Sequence, residues 1–362
     1  MQGATDTSSC QYLNGNGGNA TDPNSEEELC EPHGSSEDEQ KGALHEVKGT
    51  PEDKWRVFGY RRMLGPIRSF GKRIESEEEA RSIHGVGAKT AKKIMEIINT
   101  GSLRRITYER TEDVYVVMAF QGIYGVGQKT AYRWYINGCR SLEDVKEGKF
   151  GVKLSPAQEI GLKYYEDINS RMPRYEAKEI FEFIKAAALR IDPHLFVEIL
   201  GSYRRGKETC GDIDILITRP TSDGKTHAGV LATLIDDLYA RRVITAHLSV
   251  PDNWDDLDLC YHGLCRRSGI DKMRRIDFLC VPYESRGAAL LYYTFNRSMR
   301  LKANKMGYSL NQRGLYKDVI RDPSNRLKKL HKGTIVASET EREIFDILGV
   351  PWQEPHERVR NQ

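Results

Sequence analysis

The 362-residue sequence predicts a multidomain α+β chain, in which helical regions come before a β-sheet region and a smaller α/β region. Two matching glycine motifs, at 83–90 and 123–131, each join helical segments. Two alternating apolar runs, at 211–218 and 274–279, have the pattern of buried strands. Since domains hold roughly 100–200 residues each, this length corresponds to about two or three of them.

The first 50 residues differ from the rest in charge. They carry a net charge of −8, and because the whole chain carries +3, the remainder carries +11. The first segment is rich in Gly, Asn, Ser and Glu and is predicted to be disordered. The basic remainder indicates a polyanionic partner that binds in a salt-sensitive way.

Other whole-chain features exclude some classes of protein. No apolar run is long enough to cross a membrane, and no signal peptide is recognisable, so no membrane partner is expected. The seven cysteines have no repeating spacing, which favours reduced thiols in an intracellular compartment. Cys260, His262 and Cys265 form a local cluster whose spacing fits no zinc pattern, and they are interpreted as incidental.

The most informative stretch is 201–218, which reads GSYRRGKETCGDIDILIT. Asp212 and Asp214 are two apart on a predicted strand and therefore share one face. Two such carboxylates repel each other, and a divalent cation such as Mg²⁺ removes the conflict. The preceding turn supplies a hydroxyl, Ser202, and two guanidiniums, Arg204 and Arg205, which are phosphate-binding groups. The alternative is an ordinary strand end with solvated aspartates.

The later alternating run, at 274–279, is a predicted strand that carries a further carboxylate, Asp277, which by itself would be ordinary. The polar stretch 249–273 between the two strands is predicted to be a loop. Further elements are a helix capped at Ser141, a helical region at 164–168, a long helix at 176–189 and a strand at 196–200.

The two glycine motifs have the pattern of tight turns between helices. In each, the glycines allow a phosphate to approach the backbone N–H groups of the next helix, and a lysine adds charge. The residues are Gly85, Gly87 and Lys89 in the first copy, and Gly125, Gly127 and Lys129 in the second. Upstream, the basic and aromatic stretch 55–74 has helical spacing. It is either an amphipathic helix with a solvated face or, with Trp55, Arg56 and Tyr60, a contact for a nucleic acid end.

With these motifs, GSYRRG followed by GDIDILIT resembles the nucleotidyltransferase signature of the family X DNA polymerases, the beta and lambda group. The resemblance runs from about Pro51 to the C-terminus and is greatest to lambda-like members. It implies a multidomain α+β polymerase. Its parts would be a disordered acidic segment (1–50), a helical 5′-deoxyribose phosphate lyase-like domain (51–105), helical fingers (106–172), a nucleotidyltransferase β-sheet palm (173–283) and a small α/β thumb (284–362).

The resemblance also implies an activity and its partners. The activity is DNA-directed DNA synthesis that fills short gaps in base excision repair and end joining. The expected cofactor is a pair of Mg²⁺ ions, with Mn²⁺ as an alternative, bound by Asp212, Asp214 and Asp277. Asp277 would also accept the proton of the primer 3′-hydroxyl. The partners are gapped or nicked DNA, deoxynucleoside triphosphates and DNA repair proteins, and the chain would act as a monomer in the nucleus.

Further site residues follow from the same resemblance. The nucleotide would be bound by Arg174, Ser202, Arg205, Gly211, Tyr292, Tyr293 and Asn296. DNA would be bound by Trp55, Arg56, Tyr60, Gly85, Gly87, Lys89, Gly125, Gly127, Lys129, Arg275 and Arg300.

Lys93 aligns with the lysine that forms a Schiff base in the lyase domain of the family. A lysine whose pKa is lowered by neighbouring cations can attack the sugar aldehyde. Lys92 departs from the family, whose familiar members have Glu there. The alternative is a phosphate-binding helix face without chemistry.

A second departure lies in the thumb, where Phe295 follows Thr294 directly. The family normally has four more residues at this point, in a turn that shapes the sugar pocket. The gap is either an error in the transcript or a real deletion. Two alternatives to templated synthesis follow: template-independent terminal transfer, and a gap-binding scaffold with impaired polymerase. The pair Tyr292-Tyr293 is closer to the templated members than to terminal transferase.

Overall fold

The computed structural model describes residues 63–67, 69–101, 103, 112–267, 269–294, 296–323 and 329–358. The acidic segment 1–50 and the predicted DNA-binding residues Trp55, Arg56 and Tyr60 lie outside these ranges, so their predictions stay open. Across the described ranges, every helix is too short or too polar to cross a bilayer.

The first helical region contains helical residues at 63–67, helix α1 (Glu77–Ser82) and helix α2 (Ala88–Thr100). Helix α1 begins where the Ser76 hydroxyl accepts a hydrogen bond from the Glu79 N–H. Of the predicted helical stretch 55–74, residues 69–74 are not helical, and Gly71 there adopts a positive φ of 72°. Apolar side chains close a small core, namely Met63, Ile74, Ala80, Ile83, Val86, Ala91 and Ile94.

Between residues 112 and 168, the second helical region has five helices and a short 3-10 turn. They are α3 (Glu112–Gln121), α4 (Gln128–Asn137), α5 (Leu142–Lys146), the turn Lys149–Gly151, α6 (Pro156–Lys163) and α7 (Tyr165–Ile168). The predicted cap is confirmed, because Ser141 and Asp144 form a reciprocal capping box at the start of α5. The edge-to-face pair Phe120 and Trp134, with centroids 5.8 Å apart, joins α3 to α4 in the core.

A five-stranded sheet follows, in the order β2-β4-β7-β6-β5. Its strands are β2 (Phe196–Ile199), β4 (Ile213–Thr218), β5 (Ile244–Ser249), β6 (Leu259–Cys265) and β7 (Arg274–Cys280). Only the central pair β4 and β7 is parallel within this sheet. A two-stranded ladder of β1 (Met172–Pro173) and β3 (Thr209–Cys210) lies beside it.

The two faces of the sheet are covered differently. Helices α8 (Arg174–Ile191) and α10 (Val230–Ala240) pack on the face that carries Ile213, Ile215 and Ile217. The opposite face carries Leu216 and Leu279, which pack with residues of helix α11 (Arg286–Thr294). Because side chains alternate along a strand, this second face is also that of Asp214 and Asp277.

Two sequence predictions in this region are wrong. The stretch 249–273 is not a single loop, because 259–265 forms the inner strand β6. Its sequence LCYHGLC alternates poorly, since a glycine and a histidine interrupt the apolar residues. The predicted turn of GSYRRG is instead a one-turn helix, α9 (Gly201–Arg204), closed by the hydrogen bond from the Arg204 N–H to the Leu200 carbonyl.

The last region combines helices with a small sheet. Helices α11 and α12 (Asn296–Lys305) precede the strands β8 (Ser309–Asn311), β9 (Gly314–Lys317) and β12 (Thr334–Ala337), which form a sheet in the order β12-β9-β8. A separate ladder pairs β10 (Ile320–Arg321) with β11 (Lys329–His331), and helix α13 (Glu341–Ile347) follows. Leu291, Met299, Leu310, Ile344 and Phe345 are among its core residues.

Candidate active site

Three half-buried carboxylates lie together on the central strand pair. Asp212 comes just before β4, Asp214 is on β4, and Asp277 on β7 is the register partner of Asp214. Each offers one oxygen, and these oxygens all lie within 4.8 Å of one another. The shared face predicted for Asp212 and Asp214 is therefore confirmed, and the parallel pairing adds Asp277 to it.

The carboxylates do not share one electrostatic environment. Burial raises the pKa of Asp214 well above its usual range, and the charges of Asp212 and Asp277 raise it further. Burial also raises the pKa of Asp277, but Arg275 and His262 outweigh that effect, so its pKa lies below the usual value. Asp214 is thus the carboxylate whose negative charge most needs a nearby cation.

Arg275 supplies a positive charge within the cluster. Its Nη2 donates to Asp212 Oδ2 and, at 3.3 Å, to Asp277 Oδ2, so the guanidinium bridges two of the three carboxylates. The sequence prediction placed Arg275 at the DNA, whereas the structure places it among the carboxylates. Its predicted contact with DNA stays untested.

These residues fit the metal pair that the sequence predicts. Carboxylate oxygens are the ligands that Mg²⁺ prefers, and Mg²⁺ often takes further ligands from a substrate phosphate. Three such oxygens converge here, and the pKa of Asp214 shows that an added positive charge would relieve their repulsion. The donor set suits Mg²⁺ or Mn²⁺ better than a soft metal.

His262 also contacts the cluster, and sequence reasoning missed it. It is the register partner of Asp277 across β6 and β7, and its Nδ1 lies 2.9 Å from Asp277 Oδ1. Burial lowers the pKa of His262, but its interactions with Asp277, through charge and hydrogen bonding, together outweigh that effect, so the net pKa is raised. The only signal in the sequence was a histidine two residues from Cys260, which fits no motif.

The predicted phosphate-binding residues lie beside α9. Arg174, the first residue of α8, has its guanidinium 3.7 Å from the centroid of the Tyr203 ring, and its Nη1 donates to the Tyr203 and Lys207 carbonyls. Arg205 Nη1 donates to the Thr294 carbonyl at 3.1 Å. Ser202 lies on α9, and Gly211 lies next to Asp212.

Gly201 explains how α9 comes so close to the carboxylates. It has a positive φ of 56°, and a Cβ added there would collide with Asp214 Oδ2. Glycine is therefore required at this position by both its backbone angle and the space around it. The helix it opens presents Ser202 and Arg205 next to the strand that carries Asp214.

The predicted nucleotide-binding residues of the thumb lie on and after α11, and one of them borders the carboxylates. Tyr292 and Tyr293 on α11 form an edge-to-face pair with centroids 5.1 Å apart, and the Arg300 guanidinium lies 5.6 Å from the Tyr292 centroid. Tyr293 also lines a small cavity together with Asp214, Cys260, His262 and Asp277. Asn296 begins α12, but its side chain and Phe295 lie outside the described part of the chain.

Four family models match consecutive parts of the chain. They describe a helix-hairpin-helix domain (39–103), the fingers domain of DNA polymerase lambda (118–169), the DNA polymerase beta palm (171–283) and the DNA polymerase beta thumb (289–359). The chain belongs to the family X DNA polymerases. The predicted family and fold class are confirmed.

Individual family X relatives agree with the models. DNA polymerase lambda of Rattus norvegicus is 41% identical over 312 residues, 84% of this chain and 53% of the rat protein. DNA polymerase lambda of Arabidopsis thaliana is 36% identical over 317 residues, 85% of this chain and 58% of the plant protein. DNA nucleotidylexotransferase of Xenopus laevis is 28% identical over 343 residues, which cover 85% of this chain and 64% of the Xenopus protein. The chain thus spans about half to two thirds of the length of these relatives.

Both glycine motifs of this family X chain open a helix in the same way. Gly85 and Gly125 adopt positive φ angles of 86° and 77°, and Gly87 and Gly127 are the N-caps of α2 and α4. Neither N-cap provides a side-chain hydrogen bond to the helix, as a serine or aspartate would. The N–H groups of both first turns are therefore not covered by a capping side chain.

The lysines of the two motifs are placed as predicted relative to these turns. Lys89 and Lys129 are exposed in the first turns of α2 and α4. Lys93 is half-buried and, being four residues after Lys89, lies on the same face of α2. The Arg56 side chain that was expected opposite Lys93 lies outside the described ranges.

The second motif also lies near the carboxylates. Tyr124, within that motif, packs with Leu248, Leu264 and Met273 of the palm. Burial raises the pKa of Tyr124 to about 12, and the charge of Asp277 contributes to the increase. The helical region therefore packs against the five-stranded sheet, close enough for the charge of Asp277 to act on Tyr124.

Proposed function

We propose that this chain is a DNA-directed DNA polymerase that fills short gaps in DNA by nucleotidyl transfer with two divalent metal ions. The single observation that carries the proposal is the convergence of Asp212, Asp214 and Asp277 through the register of β4 and β7. The chain spans only part of its relatives, so the activity is proposed for this chain on its own residues.

The carboxylates would bind the metal ions and move one proton. When bound, two Mg²⁺ or Mn²⁺ ions would supply stabilisation of the attacking and leaving oxygens. Asp277 is the proposed acceptor, directly or through water, of the proton of the primer 3′-hydroxyl. Its lowered pKa keeps it ionised at neutral pH, as an acceptor must be.

The residues beside α9 would bind the triphosphate. Arg205 and Ser202 lie on or next to a helix that touches Asp214, so a phosphate at the metal site would lie within their reach. Arg174 is fixed by the Tyr203 ring and two carbonyls, which leaves its side chain little freedom to lose on binding. Gly211 would allow the nucleotide to approach the backbone. Catalysis would then consist of positioning and electrostatic stabilisation.

The two glycine motifs would bind the DNA backbone. Each combines a helix N-terminus without a side-chain cap and an exposed lysine, which suits a phosphate. Arg275 and Arg300 would contact DNA near the primer terminus, while Tyr292, Tyr293 and Asn296 would contact the sugar and base of the nucleotide. Trp55, Arg56 and Tyr60 would contact the downstream end. The predicted domain boundaries at 50, 105, 172 and 283 belong to the same proposal.

A single-nucleotide gap-filling assay tests the function. Asp212→Ala, Asp214→Ala and Asp277→Ala should each lower insertion more than about a hundredfold, the scale on which loss of one preorganised electrostatic group slows other enzymes. Binding to gapped DNA should remain close to that of the wild type. Asp271→Ala is the matched control, since its side chain is fully exposed and pairs only with Arg266 at the surface among the described contacts. Near-normal synthesis by any of the three variants would refute the metal assignment.

The same assay separates two other activities. Terminal transfer would extend a primer equally well with and without a template, as the name of the Xenopus relative suggests for that protein. A gap-binding scaffold would bind the gap and add no nucleotide. The hypothesis of a scaffold is supported by the junction after Thr294. One residue separates α11 from α12 there, so the turn that shapes the sugar pocket in the family is missing.

We also propose 5′-deoxyribose phosphate lyase activity, with Lys93 as nucleophile. The amine would add to C1′ of the sugar aldehyde and release water as the Schiff base forms. Loss of a proton from C2′ would then expel the phosphate on C3′, which becomes the 5′-phosphate of the downstream strand, and water would hydrolyse the Schiff base to free the lysine. Support comes from the position of Lys93 on the same face of α2 as Lys89. Borohydride trapping should be lost in Lys93→Ala and kept in Lys92→Ala, with gap filling unchanged in both. Equal trapping by the Lys93 variant would show that another lysine reacts, or that α2 only binds phosphate.

The proposed setting is base excision repair and end joining in the nucleus, with the chain acting as a monomer alongside DNA repair proteins. The identity to lambda-type polymerases supports it. Localisation of the tagged full chain by microscopy, and its mass in solution by light scattering, would test these two statements.

A further inference from the structure

The proposed mechanism leaves one polar neighbour of Asp277 without a role. His262 lies on β6, directly opposite Asp277 on β7, and its Nδ1 is 2.9 Å from Asp277 Oδ1. Both residues lie on adjacent inner strands of the sheet, where the backbone fixes their separation. Residues on such rigid elements can hold a catalytic group more accurately than loop residues can.

The two oxygens of Asp277 have different neighbours. Oδ2 accepts from Arg275 at 3.3 Å, and Arg275 also donates to Asp212. Oδ1 is buried and lies 2.9 Å from His262 Nδ1, but it has no donor aligned well enough to form a regular hydrogen bond. A buried acceptor without a donor is costly, and a small rotation of the ring or the carboxylate would satisfy it.

Binding of a metal ion would affect the two neighbours of Asp277, Arg275 and His262, differently. The guanidinium of Arg275 occupies the space between Asp212 and Asp277, where a cation would bind the same oxygens. A cation bound to these oxygens would take the place of Arg275 at Oδ2. His262 does not compete for that space, because it approaches Asp277 from the side of β6.

We propose that His262 is a positioning residue for Asp277. Its Nδ1–H donates to Oδ1, so that Oδ2 stays turned toward Asp212 and Asp214 after Arg275 has left. This inference rests on the proposed polymerase function, since it assigns His262 a part in the same metal site. The small cavity that His262 lines with Cys260 and Tyr293 gives the ring room for the rotation that aligns this bond.

Two substitutions separate the hydrogen bond from the bulk of the ring. His262→Leu introduces an apolar side chain of similar size and removes the donor. His262→Asn places an amide N–H at the position of Nδ1, because the two nitrogens are the same number of bonds from the backbone. His247→Leu is the matched control. It removes a histidine from the same sheet whose Nδ1 lies 2.9 Å from the Tyr261 hydroxyl, away from the carboxylates.

The first measurement is Mn²⁺ binding by electron paramagnetic resonance. The full chain is bound to gapped DNA with a dideoxy-terminated primer and the incoming nucleotide, so no turnover is needed. His262→Leu should weaken Mn²⁺ binding by about 10- to 100-fold, the effect typical of removing a residue that orients a metal ligand. His262→Asn should stay within about threefold of the wild type, and His247→Leu should be unchanged.

The second measurement is single-turnover insertion with Mg²⁺. His262→Leu should lower the maximal insertion rate and leave the apparent affinity for the nucleotide unchanged, with the Asn variant restoring the rate. Equal losses in the Leu and Asn variants would mean that the ring only fills space, and this would overturn the proposal. Wild-type Mn²⁺ affinity in His262→Leu would overturn it as well.

A third outcome concerns direct coordination. Pulsed electron paramagnetic resonance that detects nitrogen bound to Mn²⁺ in the wild type but not in His262→Leu would make His262 a ligand and overturn the positioning role. Failure of the proposed function is distinguishable from all of these results. It would appear as wild-type protein that fills no gap, whatever the variants do to Mn²⁺ binding.

Discussion

Glu341 joins the palm to the thumb through a buried ionic network. It is the first residue of α13 and accepts two hydrogen bonds from Arg204, at 2.9 and 2.7 Å, and one from Arg358 Nη1 at 2.5 Å. The side chains of Arg204, Glu341 and Arg358 are 15%, 7% and 0% exposed. Removing the carboxylate leaves two guanidiniums buried near each other without a counter-charge.

Glu341→Ala is therefore expected to destabilise the chain by about 3–5 kcal/mol, the usual cost of removing one partner from a buried ion pair. Glu339→Ala is the control, because Glu339 is 60% exposed and lies 3.7 Å from Arg286. An exposed pair of this kind contributes about 0–1 kcal/mol. Both variants replace a glutamate by alanine, at positions two residues apart. The difference between their free energies of unfolding therefore gives the contribution of the buried network.

The assay must report on the thumb, because a chain of several domains need not unfold in one step. Hydrogen exchange of the α13 amides gives the local free energy of opening. Fluorescence of Trp352 gives a second reading, since the Arg358 guanidinium lies 4.8 Å from its ring centroid. Equal effects of the two substitutions on α13 would refute the reasoning.

The same network predicts a dependence on pH. Burial raises the pKa of Glu341, but Arg204 and Arg358 outweigh it, so the folded pKa lies below the usual 4.5. A lowered folded pKa means that the stabilisation is complete above pH 4.5 and is lost as the pH falls through the folded value. The stability difference between wild type and Glu341→Ala should therefore shrink on acidification below that pH, and a constant difference would contradict the assignment.

Three further predictions concern the site. Gly201→Ala forces a Cβ against Asp214 Oδ2 at a positive φ. Insertion should fall by about a hundredfold, the cost of a 1 Å displacement in an active site, while circular dichroism stays native; an unchanged rate would contradict it. Binding to a short gap should weaken about a thousandfold between about 50 and 200 mM salt if six or more phosphates are contacted, and removing residues 1–49 should not weaken it; a salt-independent affinity would count against the basic surface. A glycine-containing insertion of four residues between Thr294 and Phe295, which spans roughly 6 Å if helical, should raise single-turnover insertion at least about tenfold, whereas equal rates would show that the turn is dispensable.

The local pattern was enough to predict that Asp212 and Asp214 share a face, whereas Asp277 was assigned to the same site through the resemblance to family X. Asp212 and Asp214 are separated by one isoleucine, and the period of two along a strand places them on the same face. Asp277 sits in a second strand with the same alternation. No local pattern predicts the parallel register that makes Asp214 and Asp277 direct neighbours.

The features that were missed depend on contacts between distant parts of the chain. Strand β6 has a weak alternating pattern, and its burial between β5 and β7 determines its structure. The role of His262 follows only from its pairing with β7. Arg204 looks like a phosphate ligand in GSYRRG, yet its partner is Glu341, 137 positions later. No periodicity connects such residues, because the contact is set by how the palm and thumb pack.

The parallel pairing of β4 with β7 also bears on how the chain folds. Helix α10 and strands β5 and β6 lie between these two strands in sequence, so their pairing closes a long loop and is expected to form late. At that step Asp214 and Asp277 are brought side by side, and their repulsion opposes the closure. Arg275 arrives on the same strand as Asp277 and bridges it to Asp212. Its positive charge offsets part of the repulsion between the carboxylates, so β4 and β7 can pair before any metal ion binds.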